Sequence, residues 1–219
     1  MAFTSIASVS ATPGVSGGAT GAIDTTGANL IVISVGFYSA GTGLTVSDSK
    51  GNTWLPLTLR TTSSGHQRFF YAQAALVGSG HTFTVTGTSI YPAIHVRAFA
   101  GATATPFDLQ AGATNSGSSL ATGSITPTQP GALVVSGLCF DSTATVSVAP
   151  TMTVTQSPFG SGVAFGGALG YLVQTTAAAV NPTWTIPGGA TNAAAVASFL
   201  PGAAAAALAP TQGYVWGPL

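Results

Sequence analysis

Short alternating or apolar runs, separated by glycine, threonine, serine and proline, predict that the chain is built from β-strands. The clearest run is HTFTVT, in which Phe83 and Val85 point to one side of a strand and the intervening threonines to the other. No segment carries a sustained apolar stripe of helical period with caps at its ends. We therefore expect an all-β protein. The candidate strands are Phe3–Ser8, Asn29–Ser39, Thr53–Thr61, Arg68–Leu76, His81–Thr86, Ile90–Ala100, Gly131–Asp141, Thr151–Gln156, Val163–Val173, Thr183–Ile186 and Ala193–Leu200.

The strand pattern recurs after about a hundred residues, which predicts two similar halves. Two such units can form either two small sandwiches in series or one sandwich of about ten strands in which the halves interlock. The link between the halves contains a strand-like stretch of its own, LATGSITPT, and both halves have few large side chains, which favours the single sandwich. The matching segments are NLIVISVGF with ALVVSGLCF, TVS at 45–47 with TVS at 145–147, and TFTV at 82–85 with TWTI at 183–186.

The expected fold class is therefore an antiparallel, jelly-roll-like β-sandwich that forms one domain over residues 1–202. Its pseudo-repeat halves span residues 1–101 and 102–202. The strand pattern stops after Gly202, and an extended C-terminal tail is expected over residues 203–219.

This tail places large apolar side chains near a chain end, where most proteins are solvated. Tyr214, Val215 and Trp216 form the cluster within APTQGYVWGPL. Such a tail either folds back onto its own sandwich or binds a neighbouring subunit, where aromatic anchors carry much of the binding energy. We expect the second arrangement, which assigns these three residues to an assembly interface.

The repeat also identifies a face that has lost its bulk in the second half. In the strand that ends the first half, His95 and Arg97 lie opposite the apolar side chains and are expected to point outward. Their counterparts in the second half are Ala195 and Ala197. A face with such small side chains can be covered by another chain. It is equally compatible with a solvent-exposed exterior that consists of small residues. Under the first interpretation both alanines belong to the assembly interface.

Composition changes this picture mainly through charge. Apolar residues make up 46% of the 219 residues, enough for a core, whereas charged residues make up 4%, against roughly a quarter in an ordinary soluble domain. The formal net charge is zero, and no basic stripe is present to bind nucleic acid or an anionic membrane. A surface with so little self-repulsion favours association. The charged residues are Asp24, Asp48, Asp108, Asp141, Lys50, Arg60, Arg68 and Arg97.

The N-terminal segment has neither the basic nor the apolar region of a secretory signal, and no apolar run is long enough for a membrane span. Synthesis in the cytoplasm is therefore expected, with any export occurring by another route. The single cysteine, Cys139, excludes an internal disulfide framework, and its apolar neighbours in LVVSGLCF predict a buried thiol.

The polar segment SDSKGNTW, residues 47–54, is a candidate for a metal loop or for a turn. Asp48 is its only acid, whereas a calcium loop needs several oxygen ligands at alternating positions. Asp48, Ser49, Gly51 and Asn52 instead supply the small polar side chains and the glycine that a tight turn requires. We predict a solvated turn between two strands.

Residue spacing gives no support to catalytic or metal chemistry. His66, His81 and His95 are not spaced as a zinc pair on one element. No serine lies in a G-x-S-x-G motif, and the aspartates are too scattered to predict a paired-carboxylate site. We therefore expect no enzyme activity, no catalytic residues, no metal and no cofactor.

One stretch of the chain resembles a known family. TVSDSKGNTW, followed by RFFYAQAALVGSGHTFTVTGTSIYPAIHVRAFAGATATPFDLQ, is similar to a β-sandwich domain that recurs in bacteriophage virion proteins and bacterial surface proteins. The shared pattern is a D-S-x-G-N-T-W turn, an aromatic F-Y-A strand, an alternating T-x-T-V strand, a long apolar strand and a P-x-D afterwards. Residues 29–110 carry this resemblance, which implies a binding or packing module without catalytic residues. Similar jelly-roll proteins decorate tailed-phage capsids, often as trimers.

These features lead to the hypothesis of a non-enzymatic virion structural protein, a capsid decoration or cement protein at the capsid surface. Its expected partners are the major capsid protein and copies of itself, with a trimer as the oligomer that the resemblance implies. The alternative is a receptor- or glycan-binding module of a phage tail or fibre, with exposed rings of Trp54, Tyr38 or Tyr91 as contacts. A cellular adhesin fragment, the third interpretation, would require an export signal.

Overall fold

The computed structural model of the chain describes residues 2–38, 40–142, 144–157, 166–189 and 191–203. The regular structure in these ranges consists of antiparallel β-strands, which confirms the all-β prediction. The strands are β1 (Thr4–Ala11), β2 (Gly17–Ala19), β3 (Leu30–Tyr38), β4 (Thr42–Asp48), β5 (Leu55–Pro56), β6 (Arg60–Thr61), β7 (Gly65–Gln73), β8 (Phe83–Thr88), β9 (Ala93–Ala100), β10 (Ala102–Asn115), β11 (Ser119–Ala121), β12 (Ala132–Phe140), β13 (Ser147–Ala149), β14 (Thr153–Ser157), β15 (Gly166–Gln174), β16 (Thr183–Thr185) and β17 (Asn192–Pro201).

The 17 strands form four sheets rather than one sandwich of about ten strands. The first large sheet has the order β1-β9-β3-β7-β5, with β6 also paired to β7, and the first small sheet has the order β2-β8-β4. The second large sheet has the order β10-β17-β12-β15-β14, and the second small sheet β11-β16-β13. The number exceeds the prediction because short strands such as β2, a run of glycine and alanine, carry too few apolar residues to be recognised in the sequence.

The four sheets are stacked in layers, with the two large sheets in the middle. Ile31, Ile33 and Val35 of β3 pack against Phe83 and Val85 of β8, which joins the first small sheet to the first large one. The opposite face of β3 packs against the second large sheet. That central core contains Leu30, Val32, Phe69, Tyr71, Phe99, Leu133, Val135, Leu169, Ala195, Ala197 and Phe199.

The second small sheet covers the outer face of the second large sheet in the same manner. Trp184 of β16 is fully buried against Leu138 and Phe140 of β12. Its indole Nε1 donates a hydrogen bond of 2.8 Å to Oγ of Ser136, which satisfies both polar groups inside the core. Trp184, which the sequence alignment of the halves places opposite Phe83, is therefore a core residue.

Stacking on both sides explains the continuous apolar runs of the sequence. β3, β12 and most of β17 are buried at successive positions, as expected for a strand with both faces covered. In β1 and β8, by contrast, more buried and less buried positions alternate along the strand, because one set of side chains reaches solvent. Apolar runs therefore mark the middle layers, and alternating runs mark the edges and outer layers.

In the described residues, no strand of one half pairs with a strand of the other half. Every ladder there joins strands within residues 4–100 or within residues 102–201. Gly101 lies between β9 and β10 with a φ of +98°, and a Cβ at this position would approach the carbonyl oxygen of Ala2 to 2.4 Å. This glycine turns the chain directly from the first large sheet into the second, so that the halves meet face to face.

Candidate functional site

The densest group of polar side chains surrounds Asp48, at the end of β4. Oδ1 of Asp48 accepts a hydrogen bond from the backbone N–H of Lys50 at 2.7 Å, and Oδ2 accepts one from the indole Nε1 of Trp54 at 2.7 Å. Asn52 donates twice to the same carboxylate, from its backbone N–H and from Nδ2, each at 3.2 Å. The segment 47–54 is therefore wound around a single carboxylate.

The solvated turn predicted for this segment is confirmed, with Ser49, Gly51 and Thr53 exposed, except at the side chain of Asp48. The backbone N–H of Gly51 donates to the carbonyl of Asp48, and Gly51 has the positive φ of 79° that favours glycine. The Asp48 side chain, however, is completely buried. Sequence reasoning treated its charge as solvated because the buried partner, His81, lies far away in the sequence.

His81 connects this carboxylate to a third residue. Its Nε2 lies 3.0 Å from Oδ1 of Asp48, and its Nδ1 lies 2.9 Å from Oγ1 of Thr25. Because the carboxylate only accepts, Nε2–H of His81 donates to Asp48, and Nδ1 pairs with the hydroxyl of Thr25. The imidazole also stacks on the ring of Phe83 at 4.2 Å.

An Asp–His–Thr relay resembles the arrangement that activates a nucleophile in hydrolases. Here Thr25 and His81 are fully buried, and Oγ1 of Thr25 also accepts the backbone N–H of Gly78 at 3.1 Å. The order of the ring nitrogens is reversed relative to a serine hydrolase, where the carboxylate binds Nδ1. With the side chains of Thr25 and His81 shielded from solvent by the described residues, the geometry suits a structural network that joins three loops.

The hydrogen bonds around Asp48 determine its charge state. Burial alone raises the pKa of this carboxyl group, but the hydrogen bonds from Lys50, His81, Trp54 and Asn52 outweigh burial and hold the pKa below its usual value. The carboxylate is therefore ionised at neutral pH, and it serves as an acceptor for all of its donors.

Asn52 extends the network to the loop before β8. Its Nδ2 donates to the carbonyl of Leu76 at 2.9 Å, and its Oδ1 accepts the backbone N–H of Leu76 at 2.6 Å. A shallow cavity of ≈ 360 Å³ lies beside this contact. Small or neutral residues line it, among them Thr53, Gln73 and Ala74. No charged side chain in the described part of its wall would select an ionic ligand.

The remaining aromatic and sulfur candidates have structural environments. Trp54, besides its bond to Asp48, packs edge-on against Phe83 at 6.1 Å and is half-buried. His66 packs edge-on against Phe37 at 5.0 Å, rather than lying in a solvated turn. Cys139 is buried as predicted, and burial raises the pKa of its thiol to about 12.

The structure corrects the position expected for the alanine face. Ala195 and Ala197 are 4% and 0% exposed, and they belong to the core between the two large sheets. The face that carries these alanines is covered, as one interpretation required, but it is covered by the first large sheet of the same chain. These alanines therefore cannot contact another subunit. Tyr214, Val215 and Trp216, the other residues assigned to an assembly interface, lie outside the described residues.

His95 and Arg97 were likewise expected to point outward, and both are buried between the two large sheets. Nη2 of Arg97 donates to Oγ1 of Thr155 at 2.6 Å, and its guanidinium lies 4.6 Å from the centre of the Tyr171 ring. The prediction failed because alternation along β9 shows only that two faces differ, and a second sheet covers the face that carries these polar residues.

One aromatic pair remains accessible. Tyr38, at the end of β3, is 36% exposed and meets the ring of Tyr91 edge-on at 6.2 Å. Tyr91 has a φ of +41° and Ser89 a φ of +53°, conformations that L-residues rarely adopt. The buried side chain of Ile90 between them anchors this loop, which fixes the position of the Tyr91 ring.

Comparisons with protein-family models, with curated proteins and with solved structures find no match to this chain. The described residues contain no group of three or more His, Cys, Asp or Glu side chains that could hold a metal ion. Within those same ranges, no helix is long and apolar enough to cross a membrane.

Proposed function

We propose that the chain is a non-enzymatic structural protein of a virion, a capsid decoration protein that binds the major capsid protein and copies of itself. The observation that carries the proposal is the distribution of charge. Of the eight charged residues, only Asp24 is well exposed, whereas Asp48 and Arg97 are used inside the protein and the other five are partly covered. Such a surface associates through apolar and neutral polar contacts, since repulsion between copies is weak.

The distribution of hydrogen-bonding side chains supports the same proposal. The Asp48 carboxylate, the His81 ring and the Trp184 indole hold loops and sheets together. A protein whose polar side chains stabilise a stacked core is suited to mechanical reinforcement.

We include in this proposal that the two halves are similar and that each follows a jelly-roll path. In the first half β1 pairs with β9, β2 with β8 and β3 with β7, the nested pairing of a rolled hairpin. In the second half β10 pairs with β17, β11 with β16 and β12 with β15. The strand orders of the large sheets then match position by position, as do those of the small sheets.

Locating the protein in purified particles tests the proposal. A labelled antibody or an image reconstruction is expected to find it on the outer shell in many regularly arranged copies. Its presence only at the tail, or its absence from the particles, would contradict a decoration role.

Deleting residues 210–219 tests the tail, whose apolar cluster we assign to subunit contacts. We expect the truncated protein to keep its β-sheet circular dichroism while losing shell binding or oligomerisation, because the aromatic anchors are removed. Normal assembly by the truncated protein would remove the tail from the proposal.

The exposed aromatic pair favours a second candidate, a receptor- or glycan-binding module of a tail or fibre. Tyr38 and Tyr91 present rings at one end of the first half, on a loop with a fixed backbone. Neutral saccharides stack on such rings, and the scarcity of charge is compatible with an uncharged ligand. Binding to host polysaccharide that Tyr38→Ala and Tyr91→Ala each abolish would establish this candidate. Binding unaffected by either substitution would exclude this pair.

A further inference from the structure

The contact between the two large sheets contains a polar site in addition to its apolar core. His95 lies on the inner face of β9 and is 1% exposed. Ser34 of β3 and Ser10 of β1 flank it as direct neighbours in the sheet. Gly167 of β15 lies opposite, where a Cβ would approach Nε2 of His95 to 3.2 Å. The imidazole fits because the facing strand has a glycine at this position.

The imidazole has few interactions that would favour its charged form. Among the described residues, neither Nδ1 nor Nε2 makes a well-aligned hydrogen bond. The titratable or charged groups nearest to it are Arg97 on its own strand, Cys139 on β12 and Tyr171 on β15, and none of them is a carboxylate. The sequence of residues 158–165, which follows β14, contains no charged or titratable side chain either.

This environment keeps His95 neutral. Burial lowers the pKa of the imidazole to about 4, the nearby backbone of Gly167 opposes that shift in part, and the charge of Arg97 adds to it. Protonation would place a second positive charge beside Arg97 in a space that holds no counter-charge among the described residues. A buried charge without a partner is relieved by letting water in, which requires β9 to move away from β15.

We propose that His95 and Arg97 form an acid-sensitive switch that opens the contact between the two large sheets. The rest of that contact is an apolar core beside the neutral Gln67–Ser34 hydrogen bond, so the two basic side chains are its weak point. The corresponding position of the second half holds Ala195, which pairs with Gly137 of β12 much as His95 pairs with Ser34 of β3. The switch therefore resides in one half, and it does not depend on a role in a virion.

The direction and size of the effect follow from proton linkage. The open state takes up a proton near the ordinary pKa of histidine, about 6.5, whereas the closed state does so only near 4. The equilibrium constant for opening the contact between the two large sheets is therefore expected to rise about tenfold for each pH unit below 6.5. It should level off near pH 4, at about 300 times its value at neutral pH.

Cys139 provides a direct probe of opening, because the only thiol of the chain is buried at the same contact. The side chain approaches Gly36 of β3, where a Cβ would lie 3.3 Å from Cβ of Cys139. The experiment measures the reaction of the full-length protein with 4,4′-dithiodipyridine at pH 7 and at pH 4.5. Each rate is divided by the rate of the urea-unfolded protein at the same pH.

The wild-type ratio of folded to unfolded rate is expected to be about 60-fold higher at pH 4.5 than at pH 7. His95→Ala, which installs the residue found at position 195, and His95→Gln should both lose this rise. His66→Gln serves as the control and should keep it. Circular dichroism at pH 7 identifies which of the two His95 variants are folded. A wild-type ratio that does not change with pH, or a rise that persists in a folded His95 variant, would overturn the switch.

Discussion

At the scale of single residues, Asp48 has the largest structural influence of the charged side chains. One carboxylate accepts hydrogen bonds from the loop that contains it, from the Trp54 indole and from His81. Through His81 it also reaches Thr25, so that three loops depend on the same charge. The sequence predicted the turn from small polar residues, but it contained no local sign of the buried imidazole, because His81 approaches Asp48 only after β8 pairs with β4.

Asp48→Asn tests this influence. The oxygen of the new amide can accept from some of the donors that now bind the carboxylate. The NH₂ group of the amide cannot accept, so at least one buried donor loses its partner. We expect the free energy of unfolding to fall by about 2–4 kcal/mol, measured by urea denaturation at pH 7. Asp24→Asn is the control, because Asp24 is exposed and bonds only within its own turn; it should lower the free energy of unfolding much less than Asp48→Asn does.

The same substitution predicts a pH dependence. The pKa of Asp48 is lower in the folded protein than its usual value, so that the carboxylate stabilises the fold above about pH 4 and this contribution is lost as the pH falls through the folded pKa. The difference between wild type and Asp48→Asn should therefore be constant from pH 7 to pH 5 and shrink below pH 4. A difference that grew as the pH fell would contradict the assignment.

At the scale of elements, the middle strands show what a sequence pattern can and cannot establish. NLIVISVGF and ALVVSGLCF predicted β3 and β12, because long apolar runs between turn residues suit buried strands. The pattern did not show which sheet covers each face. That choice depends on small residues such as Gly36, Gly137 and Gly167, which let the large sheets approach closely. Glycine in a strand has too many possible causes to predict a facing sheet.

Gly137→Ala tests the close approach of the two large sheets. A Cβ at this position would lie 2.7 Å from Oγ of Ser34 and 2.8 Å from Cζ of Phe69, both on the facing sheet. We expect a loss of about 1–3 kcal/mol in the free energy of unfolding, because the sheets must separate slightly to admit the methyl group. Gly21→Ala is the matched control. It meets no atom within 4 Å at an ordinary φ, and it should be neutral or stabilising.

At the scale of the whole molecule, four layers held by one central core account for the composition of the chain. Phe99, Leu133 and Phe199 join the two large sheets, and each large sheet carries a small sheet on its outer face. Sequence analysis predicted the all-β class correctly, but it placed His95, Arg97 and their alanine counterparts on the outside. Nothing in a strand pattern distinguishes a surface that meets solvent from one that meets another sheet of the same chain.

Joint unfolding of the two halves is the most direct test of this account. Trp54 lies in the first half and Trp184 in the second. Two variants are made, each of which keeps one of these tryptophans and has the other tryptophans of the chain changed to Phe. The emission of each variant then reports the unfolding of one half. The measurement is tryptophan emission against urea concentration at pH 7, compared with far-ultraviolet circular dichroism of the same variant. Because the large sheets share one core, the two signals should coincide in both variants as a single transition. Emission from either half that changes at a urea concentration different from the circular dichroism would contradict the account.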